Sequence, residues 1–195
     1  MKKKCVNSTT TFNLRKMGSI LTRVNDIVVH LDEFLLRKIL RVPREGTMSV
    51  IGKTYSIEFV SLVSKLPTTK CVGVFKKVMK SEYKLMFEFV NKTLLPRIEK
   101  RTSATSADLF VMELLYRFEP LNLPGLMLEH MYKIVIERKG IHEMGYGYFL
   151  TKVFKHFKIP LSVGKVCTVK QAFSENTPIE CECIEGKVNP KIKMT

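Results

Sequence analysis

The stretch "LNLPGLMLEHMYKIVIERKG", residues 121–140, decides the fold class. Pro124 falls in the first turn of a helix, where its missing N–H costs nothing. Arg138 and Lys139 sit in the last turn, and Gly140 stands just beyond it as a C-cap. Between these ends, Met127, Met131, Ile134 and Val135 recur at helical spacing and predict one buried face. Glu129, Lys133 and Glu137 step by four along the other side as attractive neighbours. Glu129 therefore reads as a surface ion-pair partner and His130 as a residue bordering the apolar stripe. Both are packing elements rather than chemistry.

The same logic extends downstream and upstream. In "YGYFLTKVFKHFKIPL" (146–161), Tyr146, Phe149, Leu150, Val153, Phe154 and Phe157 form a wide apolar stripe. In "TSADLFVMELLYRF" (105–118), a Ser/Thr cap with Asp108 in the first turn starts a helix, and Val111, Leu114, Leu115 and Phe118 make its stripe. "YSIEFVSLVSKLP" (55–67) places Phe59, Leu62, Val63 and Leu66 at helical spacing before Pro67. Asp32 caps "DEFLLRKILRV" (32–42), with Leu35, Leu36, Ile39 and Leu40 on one face and Glu33 four residues before Arg37.

One segment combines an apolar and a basic face. In "VFKKVMKSEYKLMFEFVNKTLLP" (74–96), read as a single helix, the stripe is Phe75, Val78, Met79, Leu85, Met86, Phe89 and Val90. Lys76, Lys77, Lys80 and Lys84 then lie opposite it. β-Structure is expected only near the N-terminus. "TRVNDIVVHL" (22–31) reads as a short strand, and "TMSVIGKT" (47–54) as one that could pair back with it. From Leu161 the helical period is lost; "KVCTVKQAF" (165–173) could be a strand, and "NPKIKMT" (189–195) reads as a frayed tail.

These readings predict a mainly α protein: a compact bundle of five or six amphipathic helices from about residue 32 to 158, with a minor β element. The expected organisation is a disordered tail at 1–20, a helical domain at 21–160 and a partly extended or disordered extension at 161–195. A chain of 195 residues can bury roughly 70% of its unfolded surface, enough for a core without disulfides or metal.

Charge is the compositional outlier. The formal net charge is +15, and residues 1–101 carry 21 Lys and Arg against 8 Asp and Glu, whereas residues 102–195 carry 12 against 10. A basic half attracts polyanions by its field and by counterion release, so RNA or DNA is the partner that charge implies. The nucleic-acid-binding candidates are Lys76, Lys77, Lys80 and Lys84 with Arg97, Lys100 and Arg101 from the hinge "PRIEKRTS" (96–103). Arg37, Lys38, Arg41 and Arg44 add to them. Lysines at helical spacing can track phosphates without reading bases. The competing reading is a solvated surface with no ligand.

Most catalytic and metal-binding classes lack their residues. "MGYGYF" (144–149) has two glycines but neither phosphate-loop pattern. "IHEMG" lacks the second histidine of a zinc-protease helix, and no serine sits in G-x-S-x-G. The cysteines at 5, 71, 167, 181 and 183 include no pair at zinc-knuckle spacing. Cys181 and Cys183 share a side if "IECECIEG" (179–186) is a strand, and they read as free, buried or partly buried thiols. No metal or cofactor is expected. Neither a secretory signal nor a membrane span is seen, so the expected location is intracellular, nuclear or cytoplasmic.

Three stretches together resemble the plant transposon protein family found in retroelement-derived open reading frames. They are "VNDIVVHLDEFLLRKILRVPREG" (24–46), "LLPR" (94–97) and "LNLPGLMLEHMYKIVIERKGIHEMGYGYFLTKVFKHFKIPL" (121–161). "TVKQAFSENTPIECECIEGK" (168–187) is similar to the tail of the same group. Members have further aromatic-rich helical sequence ahead of the first stretch, so the resemblance implies an N-terminally truncated member. It carries no catalytic residues onto this chain. It implies a non-enzymatic interaction or assembly domain of a mobile element, self-associating or binding a protein partner and holding nucleic acid electrostatically. Two other readings stay open: a metal-dependent transposase-like DNA strand-transfer enzyme, and a translated relic without selected activity.

Overall fold

The computed structural model describes residues 18–67, 73–96, 102–137, 146–160, 177–181 and 183. Among the described residues, six α-helices lie between residues 32 and 158, with a two-stranded antiparallel sheet ahead of them, so the expected mainly α class with a minor β element is what the chain forms. The described residues gather into two compact units, each assembled from separated stretches. The first takes 18–49 and 121–160; the second takes 50–120 and 177–183.

The first unit opens with a hairpin, β1 (Ser19–Val24) and β2 (Ile27–Asp32), in register from Ser19 opposite Asp32 to Val24 opposite Ile27. Sequence reading made residues 22–31 one strand; in fact Asn25 and Asp26, at φ 47° and 62°, turn the chain back. Two left-handed residues match the right-handed twist of the flanking strands, and Asn and Asp tolerate that conformation best after glycine. Ile20, Val29 and Leu31 point into the core, while Val28 and His30 face outward. The second strand expected at 47–54 does not form: Thr47 makes a lone parallel bridge to Leu121.

Helix α1 (Glu33–Leu40) follows β2 directly, and Asp32 caps it by accepting a 2.7 Å hydrogen bond from the Leu35 N–H. It ends at Arg41, left-handed at φ 58°, whose N–H closes onto the Arg37 carbonyl. Leu36 and Leu40 are buried, with Leu35 and Ile39 packed at the edge of the same core. Against α1 lie α5 (Leu123–Glu137) and α6 (Gly147–His156). They contribute Met127, Leu128, Leu150 and Val153, with Tyr146 and Ile159 from the flanks of α6. Asn122 secures the start of α5 by accepting from the Gly125 N–H at 3.0 Å. A Cβ on Gly125 would lie 2.8 Å from that of Met48, so a side chain there has no room.

The second unit contains α2 (Ile57–Val63), α3 (Ser81–Phe89), α4 (Ser106–Tyr116) and the short α7 (Thr177–Glu180). Ser56 caps α2, and Thr105 with Asp108 forms a reciprocal capping box at α4. Phe59, Val60 and Val63 of α2, Tyr83 and Phe87 of α3, Val90 just past it, and Leu109, Val111 and Met112 of α4 are all buried. Phe59, Tyr83 and Tyr116 form an aromatic cluster with centroids 5.7–6.2 Å apart. Several expected stripe residues lie outside this core. Leu62 and Leu66 are exposed, and Phe118, at φ 54° past the end of α4, is 95% exposed. Residues 177–181 pack on α3 with Thr177 and Cys181 fully buried. Cys181 thus follows a helical turn rather than lying in a strand.

Candidate functional site

The single helix expected over 74–96 is broken. Residues 76–78 form one 3-10 turn, α3 begins only at Ser81, and Val90–Leu94 is a π-helical turn. Phe75 and Met79 are held in isolated bridges to Ser103 and Ser64, which keeps this stretch out of helical register with α3. Lys76, Lys77, Lys80 and Lys84 therefore do not share one helix face. Lys84 is only 6% exposed, while Lys76 reaches the buried Glu88 at 2.6 Å. Lys77 lies over the Phe75 ring, 5.8 Å from its centroid. Of the four, Lys77 is the one fully on the surface, with Lys80 partly so. Arg97, Lys100 and Arg101 lie outside the described residues.

Glu88 is the focus of this region, accepting from Lys76 and, at 2.9 Å, from Lys92 one turn on. Burial raises the carboxyl pKa, but the hydrogen bonds and charges of the two lysines outweigh it and hold the group below its ordinary range. Glu113 is similar: burial is overcome by the Ser56 hydroxyl and N–H and by Arg117 at 2.7 Å. Both carboxylates have their charge satisfied locally and serve the fold.

On the first unit the cations are arranged otherwise. Glu33 was expected to pair with Arg37; instead it takes Arg44 at 2.8 Å and the Asn122 amide at 2.7 Å. Arg37 is thereby left to solvent, and among the described residues no carboxylate pairs with Arg37, Lys38 or Arg41. The three flank an open surface cavity of about 470 Å³ whose lining also includes Phe34, Val42, Pro43 and Glu45. Phe34 is 61% exposed. Phe34, Arg37 and Lys38 stand at i, i+3 and i+4, so α1 carries them along one side while Leu36 and Leu40 go into the core; Arg41, the left-handed residue that ends the helix, lines the same cavity. Sequence reading named the three cations but missed Phe34, whose signal was an aromatic at those spacings on the charged side of an amphipathic helix.

The two residues in the middle of α5 have structural partners. Glu129 accepts from the Ser49 hydroxyl, and His130 Nδ1 lies 3.0 Å from the Tyr146 hydroxyl with the two rings edge to face. Tyr146 is buried, which pushes its phenol well above the usual range. Cys181 and Cys183 are free thiols, and burial likewise raises that of Cys181. Among the described residues no three of His, Cys, Asp and Glu converge as a metal site, and no helix is long and apolar enough to cross a membrane. Comparison of the chain with protein-family models, curated proteins and solved structures finds no match.

Proposed function

We propose that this chain is a non-enzymatic interaction domain of plant mobile-element origin that acts inside the cell and holds nucleic acid electrostatically through the exposed side of α1. The observation that carries the reading is the set of Arg37, Lys38 and Arg41, without carboxylate partners among the described residues, around one cavity in a chain of net charge +15. A cation already neutralised by a carboxylate has little to offer a phosphate; these three are available, unlike Lys76 or Lys92. The resemblance to plant transposon proteins is consistent with this placement. Two of the stretches that carry it, 24–46 and 121–161, supply β2, α1, α5 and α6 of the first unit, including the helix that bears the cations.

The test is binding of the purified protein to labelled DNA by fluorescence anisotropy across a salt series. Each phosphate neutralised contributes about 0.7 to the slope of log K against log salt on a single strand and about 0.9 on a duplex. The triple variant Arg37→Gln/Lys38→Gln/Arg41→Gln is expected to lower the slope by about 2 on a single strand and about 3 on a duplex. An unchanged slope would move the contact off α1.

A further inference from the structure

Building on the nucleic-acid reading above, we infer that the α1 face selects single-stranded nucleic acid, with Phe34 as the platform on which an unpaired base stacks. Phosphate attraction alone needs no aromatic side chain, yet one stands 61% exposed at the head of the three cations. Burying that ring in the fold would contribute stability, and α1 already sends Leu36 and Leu40 inward, so the core does not account for Phe34. A ring beside cations is the combination that holds a strand whose bases are free. The π-face takes any base, and the guanidinium and ammonium groups take the flanking phosphates.

The lining supports a base over a bare polyanion. Val42 and Pro43 give this open surface cavity an apolar side. Glu45, on the same lining, repels phosphate but suits the exocyclic amino group of a base. Arg41 stands seven residues beyond Phe34, about 10 Å along the helix at its rise of 1.5 Å per residue. A stacked base and the phosphates beside it fit that span. In a duplex the base faces are occupied by their neighbours, and Phe34 has nothing to stack on.

Three labelled probes of equal length and stated chemistry test this with the full-length chain: a single-stranded DNA 12-mer, its duplex, and an abasic strand that keeps the phosphates. The single strand is expected to bind tightest at near-physiological salt. Phe34→Ala should weaken it roughly tenfold or more while leaving the duplex and abasic strand unchanged, and Phe34→Trp should restore it. Because Phe34 is exposed, circular dichroism of each variant should match the parent. If the abasic strand binds as well as the normal one, or if Phe34→Ala has no effect on the single strand, the stacking inference is overturned and electrostatic binding stands. If the triple charge variant binds all three probes like the parent, the nucleic-acid reading of α1 itself falls.

Discussion

Thr22 sits on the inward face of β1, opposite Val29, and its hydroxyl oxygen is buried without a hydrogen-bond partner among the described residues. Its shape suits a strand; its oxygen has lost water and gained nothing. Thr22→Val keeps the shape and removes the unsatisfied atom, so it should stabilise the protein by about 1 kcal/mol in urea unfolding. Glu88 is the opposite case, a carboxylate whose folded pKa is depressed by Lys76 and Lys92. Its stabilisation is complete above the unfolded pKa, near 4.3, and is lost as pH falls through the lower folded value. Glu88→Gln should therefore cost about 2 kcal/mol at pH 7 by leaving two lysines short of a partner, and the gap to the parent should narrow as pH falls through the folded value. A gap independent of pH would show that packing, not charge, is what the substitution disturbs.

The contrast between α1 and the stretch around α3 shows what local sequence can specify. Helix α1 was legible because its signals are local: a cap at Asp32, an apolar stripe one turn apart and a proline three residues past its end. Eight residues are too few for an autonomous helix, so the cap and the burial of Leu36 hold it. Asp32→Ala is expected to cost about 1 kcal/mol and Leu36→Ala about 3 kcal/mol, both measurable by thermal unfolding. The lysine-rich segment before α3 was misread for a non-local reason. Backbone bonds from Lys76 to Thr102 and from Lys80 to Val63 take up its donors, and no periodicity in 74–80 reveals those distant partners. Once the helix starts at Ser81, Tyr83, Phe87 and Val90 become the buried positions, and Lys84 goes inward with them. The hairpin before α1 did leave a local trace, in the adjacent Asn25 and Asp26.

For the whole molecule, composition fixed two things: a core large enough to need no staple, and a net charge of +15 that favours polyanionic partners. The helical class and the N-caps of α1 and α4 also followed from sequence alone, because propensity, capping and 3.6-residue periodicity act within a few residues of each other. Tertiary structure alone decided which cations are free. Glu33 turns from Arg37, its neighbour one helical turn away, to Arg44 and to Asn122, which is 89 residues further along the chain. Glu88 gathers Lys76 and Lys92, and α3 buries Lys84. It also decided that the described residues of 18–49 join those of 121–160, while those of 50–120 join those of 177–183. A charge count sums residues wherever they stand, but a phosphate meets only those that no carboxylate has taken and no core has covered, and that depends on contacts between residues far apart in the chain.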